Sequence, residues 1–134
     1  MQLNEPEKQQ AELEQAVSDV LTEARRRGAS AAEASAHRDR GLSATVRLGE
    51  VETIEHTNDN GLAISVYFGQ HKGSASTADL SREAIRETVE AACNIARYTQ
   101  EDNCAGLADA GLMARDIPDL DLFHPWTVSV DEAV

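Results

Sequence analysis

One Trp, two Tyr and two Phe in 134 residues leave this chain short of the large rings that usually fill a protein core. A core here has to be assembled from Ala, Val, Leu and Ile, which suits one modest domain with little stability to spare. Two cysteines, Cys93 and Cys104, provide neither a disulfide framework nor metal-ligand spacing. They suit a cytosolic protein with reduced thiols. No apolar run approaches the length of a membrane span or a signal-peptide core, and the first ten residues are largely polar. Basic residues are scarce as well, with 12 Lys and Arg against 24 Asp and Glu and a formal charge of −12. A surface of that sign repels phosphate, so neither nucleic acid nor an anionic membrane is an expected partner. The charge is unevenly spread. Residues 1–98 hold 16 acids and 11 bases, whereas residues 99–134 hold 8 acids and 1 base.

What the chain does have is alternation. Leu42, Ala44, Val46 and Leu48 are separated by Ser43, Thr45 and Arg47; Leu62, Ile64, Val66 and Phe68 are separated by Ala63, Ser65 and Tyr67. Period two places one set of side chains on one face of a pleated strand. Turn residues fall between such segments: Gly49-Glu50, Asn58-Asp59-Asn60-Gly61 and Gly69-Gln70-His71. The pattern predicts a four-stranded antiparallel meander over 41–77. Ala32 to Arg38 makes a fifth strand if Asp39-Arg40-Gly41 is also a turn. Val51 and Ile54 are three apart, which calls for a bulge or for burial on both sides of the 51–57 strand.

Two helices flank the meander. Leu13, Ala16, Val17, Val20, Leu21 and Ala24 recur at three and four across Gln9 to Arg27. Arg25 to Arg27 suit the negative end of that helix, and Gly28 stops it. Ser81 is an N-cap for a second helix with Ile85, Val89, Ala92 and Ala96 on its inner stripe. The expected architecture is an α/β (α+β) two-layer sandwich, with an antiparallel meander of four or five strands and both helices on one face. The expected organisation is a disordered N-terminus over 1–8, an α/β domain over 9–99 and an acidic extended connection over 100–128. Within the connection Leu120, Leu122, Phe123 and Trp126 call for cover. Ser129-Val130-Asp131-Glu132 has the form of a capping box, and residues 129–134 read as the start of a helix cut inside a longer protein.

No catalytic pattern emerges from the residue types. His37, His56, His71 and His124 lack the helical pair spacing of a zinc protease and have no cysteine in ligand spacing. Ser74, Ser76, His71 and Asp79 supply the types for a triad, without a nucleophile elbow or an oxyanion hole. In Gly73-Ser74-Ala75-Ser76-Thr77 the Lys precedes the Gly, the reverse of a phosphate loop. Small side chains there fit a strand that another backbone approaches closely.

Three stretches nevertheless carry a family resemblance. Gly49-Glu50-Val51-Glu52, Asn60 to Tyr67 and Lys72-Gly73-Ser74-Ala75-Ser76 resemble the N-terminal part of the TldD/PmbA metallopeptidases. Ile95-Ala96-Arg97-Tyr98-Thr99, Cys104-Ala105-Gly106 and Pro118 to Pro125 agree, the last being closer to PmbA (TldE) than to TldD. The resemblance spans about Ala16 to Val134 and implies a cytosolic two-subunit assembly that degrades unfolded or flexible peptides. It implies zinc in the TldD-like partner and none here, because no residue of this chain matches a family metal ligand or catalytic residue. The domain is then expected to contribute assembly and substrate enclosure, with a strand edge at Gly73, Ser74, Ala75 and Ser76 that an extended peptide can join. The competing reading of that segment is a small-residue internal strand. For the whole chain the alternatives are a free-standing acidic interaction module with no hydrolytic role and, less in keeping with the residues, a free-standing hydrolase.

Overall fold

The computed structural model describes residues 5–122, 124 and 126–134. The expected disorder of residues 1–4 and the cover expected for Phe123 lie outside the described residues. The elements are α1 (Glu5–Arg26), β1 (Ala31–Arg47), β2 (Glu50–Phe68), β3 (His71–Thr77), α2 (Arg82–Tyr98) and a short α3 (Val130–Ala133). The sheet has three strands in the order β1-β2-β3. The chain forms two compact units, one of residues 1–38 with 59–107 and one of residues 39–58 with 108–134.

The first unit holds the core. The helix α1 begins at Glu5, ahead of the Gln9 expected from its stripe, since Pro6 sits in the first turn, where a missing N–H costs nothing. It ends as anticipated: Gly28 takes φ +88°, Gly28 N–H donates to the Arg25 carbonyl and Ala29 N–H to that of Ala24. Those two bonds are a Schellman closure. Ala16, Val20 and Ala24 of α1 meet Ile85, Val89, Ala92, Cys93 and Ala96 of α2 over Leu62, Ile64 and Val66 of β2. Every one of these side chains is small or medium, as the shortage of aromatics requires. Ser81 caps α2 by accepting the Ala84 N–H at 3.3 Å.

Charge also joins the helices. Glu23, almost fully buried, accepts from Arg27 at 2.7 Å and from Arg26, and Arg27 reaches across to Glu90 of α2 at 3.2 Å. Arg27, at the end of α1, thus ties the two helices together as well as facing the dipole. Burial pushes the Glu23 carboxyl up, but the hydrogen bonds and charges of Arg27 and Arg26 outweigh it and hold the pKa below the ordinary value. A depressed carboxylate contributes stability that is complete above its unfolded pKa and disappears as pH falls through its folded one. Urea unfolding of wild type and Glu23→Gln is therefore expected to show the larger acid loss in the wild type, with the two curves converging below about pH 4. Parallel pH profiles would remove this ion pair from the account.

Three long strands stand where four or five short ones were expected. Asp39-Arg40-Gly41 lies inside β1, and Asn58 to Gly61 lies inside β2. Positive φ among the described residues is confined to Gly28, Leu48, Gly49, Gly69 and Asp121, so neither stretch turns. These residues tolerate a turn without imposing one. Cross-strand pairing uses them instead: Arg38 Nε donates to Asn60 Oδ1 at 2.9 Å, and the His37 ring occupies the space a Cβ on Gly61 would need.

In the second unit, residues 39–58 form a hairpin around Leu48-Gly49, one position earlier than the Gly49-Glu50 expected. Both turn residues have positive φ, 54° and 84°, the signature of a type I′ turn. Leu48 is therefore a turn residue, 98% exposed, and not the last member of an inward-facing row. Glu50 to Asp59 are exposed throughout, so the 51–57 strand is not half buried on both sides. Leucine in the left-handed region is strained, whereas Asn is favoured there. Leu48→Asn is expected to stabilise the hairpin by about 0.5–1 kcal/mol, seen as slower amide exchange at Arg47 and Glu50, the bonded pair that flanks the turn; faster exchange would contradict the turn assignment. Also in this unit, Ser129 accepts the Glu132 N–H while the Glu132 carboxylate accepts the Ser129 N–H, completing the expected capping box.

Candidate functional site

Among the described residues β3 is an edge strand, joined to the sheet through β2. Its register with β2 runs antiparallel from Leu62↔Thr77 to Phe68↔His71. The intervening Gly69-Gln70 has positive φ at Gly69 alone, 63°, as a type II′ hairpin requires. Residues flanking a two-residue turn exchange hydrogen bonds, and bonded pairs then alternate along the ladder. His71, Gly73, Ala75 and Thr77 therefore direct their backbone N–H and C=O toward β2. Lys72, Ser74 and Ser76 direct theirs outward, away from the sheet.

The same alternation divides the side chains. Gly73 is buried beneath α2, and a Cβ on it would meet the Ala92 carbonyl and the Ala96 N. The approaching backbone that the small residues admit is therefore that of α2. Lys72, Ser74 and Ser76 are exposed on the face away from the helices. On that face Ser74 Oγ shares a 2.8 Å hydrogen bond with Ser65 Oγ. Tyr67, 3% exposed, donates its hydroxyl to Glu33 at 3.0 Å, and Lys72 Nζ stands 5.6 Å from the centre of its ring. Lys72 Nζ is 3.9 Å from Glu33, an ion pair too long for a hydrogen bond.

A cleft of about 260 Å³ lies at the start of β3, lined by Tyr67, Lys72, Thr99, Gln100, Asp102 and Cys104 among others. The chain leaving α2 forms its wall, anchored by Asp102 N–H on the Gln70 carbonyl at 3.1 Å and by His71 Nδ1 on the Thr99 carbonyl at 2.8 Å. Thr99 to Gly106 carry no periodic signal, so this wall was not visible in the sequence. A second cleft, about 620 Å³, is bordered by Lys8, Glu12, Asp19, Arg38 and Arg82. Arg38 and Glu12 pair across it at 3.2 Å. Charges of both signs oppose one another there.

Of the four residues anticipated for the edge, Ser74 and Ser76 present outward backbone groups, while Gly73 and Ala75 spend theirs on β2. Lys72 joins the outward set. The triad types are not assembled: Ser74 is paired with Ser65, His71 with Thr99, and Asp79 accepts the Ser81 N–H at 2.8 Å. Among the described residues no three His, Cys, Asp or Glu side chains converge as metal ligands. Cys93 is buried, and burial raises its thiol pKa despite Arg27 and Arg97 nearby, which makes it a poor nucleophile. Among the described residues no helix is long and apolar enough to cross a membrane.

Comparison with known proteins follows the same lines. Residues 32–96 match the family model described as PmbA/TldA metallopeptidase domain 1. The metalloprotease PmbA homolog of Haemophilus influenzae is 54% identical over 93% of this chain and 28% of its own length. Metalloprotease PmbA of Escherichia coli O157:H7 is 49% identical over 98% of this chain and 29% of its own. The chain thus spans less than a third of these relatives. The crystal structure of TldE from Thermococcus kodakarensis superposes with a TM-score of 0.66 at 20% identity, covering 78% of this chain and 23% of that one, and shows the shared fold. A three-stranded sheet with a small-residue edge, two helices over one face and this degree of likeness to PmbA proteins lead to one conclusion: the chain belongs to the PmbA/TldD metallopeptidase family and carries its first, N-terminal domain, of the PmbA (TldE) type.

Proposed function

We propose that this domain is a non-catalytic part of a cytosolic two-subunit zinc peptidase, and that it helps to assemble the enclosure and to hold flexible peptides for a TldD-like partner. On this proposal the zinc belongs to that partner, in keeping with the family resemblance. There it would polarise the peptide carbonyl and lower the pKa of bound water. This chain's part is binding. The free edge of β3 carries the reading: Lys72, Ser74 and Ser76 offer six outward backbone groups that pair with any extended chain regardless of its side chains. Ser74 and Ser76 have small side chains that leave the approach open, while Gly73 and Ala75 set the strand close to α2.

The test is co-expression of a PmbA-length protein containing this domain with a TldD-like subunit, followed by zinc analysis and cleavage of a flexible peptide. Ser74→Pro removes one outward N–H without touching the ladder to β2, and is expected to slow cleavage about tenfold or more while leaving assembly and zinc content unchanged. Unaltered cleavage would remove the edge from the mechanism. Failure of the two proteins to co-purify would remove the subunit reading and favour a free-standing interaction module.

A further inference from the structure

We infer that the β3 edge reads the end of a chain, holding a peptide antiparallel to β3 with its C-terminal carboxylate in the cleft beside Lys72. The inference rests on the edge reading above and adds a polarity and an end-group to it.

Three observations carry it. First, the edge is closed at one end. The segment Thr99 to Gly106 is fixed to the start of β3 through the Gln70 carbonyl and the His71 ring, and with Lys72 and Tyr67 it encloses the 260 Å³ cleft. A strand pairing outward with Ser76, Ser74 and Lys72 in turn meets that wall. A chain that stops there fits better than one that continues.

Second, the charges at the two ends differ. Lys72 stands at the closed end with its side chain 46% exposed, and its ammonium lies beyond hydrogen-bond reach of Glu33 at 3.9 Å. Its donors are therefore left with capacity for a carboxylate. Asp102 shares the cleft wall, its carboxylate accepting the Cys104 N–H at 2.8 Å, and Lys72 is the basic residue among the described lining residues. Asp79, just past the open end, is an acidic residue whose carboxylate likewise accepts a backbone N–H, that of Ser81. An antiparallel peptide places its negative terminus at Lys72 and its positive terminus toward Asp79; a parallel peptide reverses both pairings.

Third, the cleft is too small for much more than a terminus. At about 260 Å³ it falls below the usual size of a pocket for a drug-sized ligand. The substrate class assigned is accordingly an extended peptide with a free C-terminus.

The experiment is amide-shift titration of the full chain with the hexapeptide Ser-Thr-Val-Thr-Val-Thr, as free acid and as C-terminal amide, on wild type and Lys72→Gln. The expected result is shifts at the Ser74 and Ser76 amides with both peptides and about fivefold tighter binding of the acid, a preference that vanishes in Lys72→Gln and shrinks at 0.5 M salt. Equal affinity for acid and amide, with shifts at Ser74 and Ser76, would overturn the end-group inference and leave the edge reading standing. Absence of shifts at both serines with either peptide would overturn both. The spectrum of Lys72→Gln itself reports whether that variant is folded.

Discussion

Gly73→Val is expected to unfold the domain or displace α2, costing about 3 kcal/mol or more, because the added branches have only backbone to push against. The Ala92 carbonyl and the Ala96 N occupy the place of a Cβ at position 73. Flexible side chains yield to an intruding methyl; a helix backbone moves only as a unit. Gly73→Ala isolates the contact and is expected to lose about 1–3 kcal/mol in urea unfolding. Against a typical total of about 5–15 kcal/mol, the valine variant stands near the threshold of folding. Retention of the wild-type midpoint in Gly73→Ala would mean that α2 does not rest on β3 at this point. Gly73→Val is for the same reason a poor probe of peptide binding. Ser74→Pro, on the other face of the strand, separates the edge from the core.

Leu62→Ala is expected to cost about 3–4 kcal/mol. Leu62 is 1% exposed and is the largest of the fully buried side chains, which otherwise include Val20, Val66, Val89 and Cys93. The core around it is built mainly of Ala, Val and Ile, so most of the cavity is expected to persist and its cost to add to the lost transfer energy. By contrast Val46→Ala, in the exposed hairpin where the valine is 43% exposed, is expected to change stability by less than about 1 kcal/mol. Equal losses from the two substitutions, measured by urea unfolding, would contradict the division between a buried core and an exposed hairpin.

The helices and the paired segments were legible because burial in them repeats at a fixed period. Ala16, Val20 and Ala24 in one helix and Ile85, Val89, Ala92 and Ala96 in the other fall on the stripes their spacing predicts. Cys93 belongs to the same stripe and Glu23 beside it, yet neither is conspicuous in a hydrophobic pattern; Glu23 is buried through Arg26 and Arg27 at separations of three and four, a signal present in the sequence as charge spacing. The strand count failed at Asp39 to Gly41 and Asn58 to Gly61. Turn-prone residues permit positive φ, but a ladder that satisfies each backbone group outcompetes the turn when two such stretches face each other. The reverse held at Leu48, where the hairpin turns on a residue with no turn preference beside the Gly that has one.

The candidate edge shows the same boundary. That the 72–77 segment is extended and small could be read from the residues directly. Which strand lies at the edge of the sheet, and which backbone groups remain free, depends on pairing between segments and on the register through the Gly69-Gln70 turn.

By itself the sequence determined the family, the two amphipathic helices, the alternating strands, the acidic surface and the small-residue character of the core, because each is a local or compositional property. Only the tertiary structure decided that the strands number three, that Gly73 lies under the α2 backbone, that Arg27 joins the helices, and that the chain after α2 walls off one end of β3. Those features come from contacts between residues distant in the chain, whose energies depend on distance and direction in space and leave no periodic trace along it.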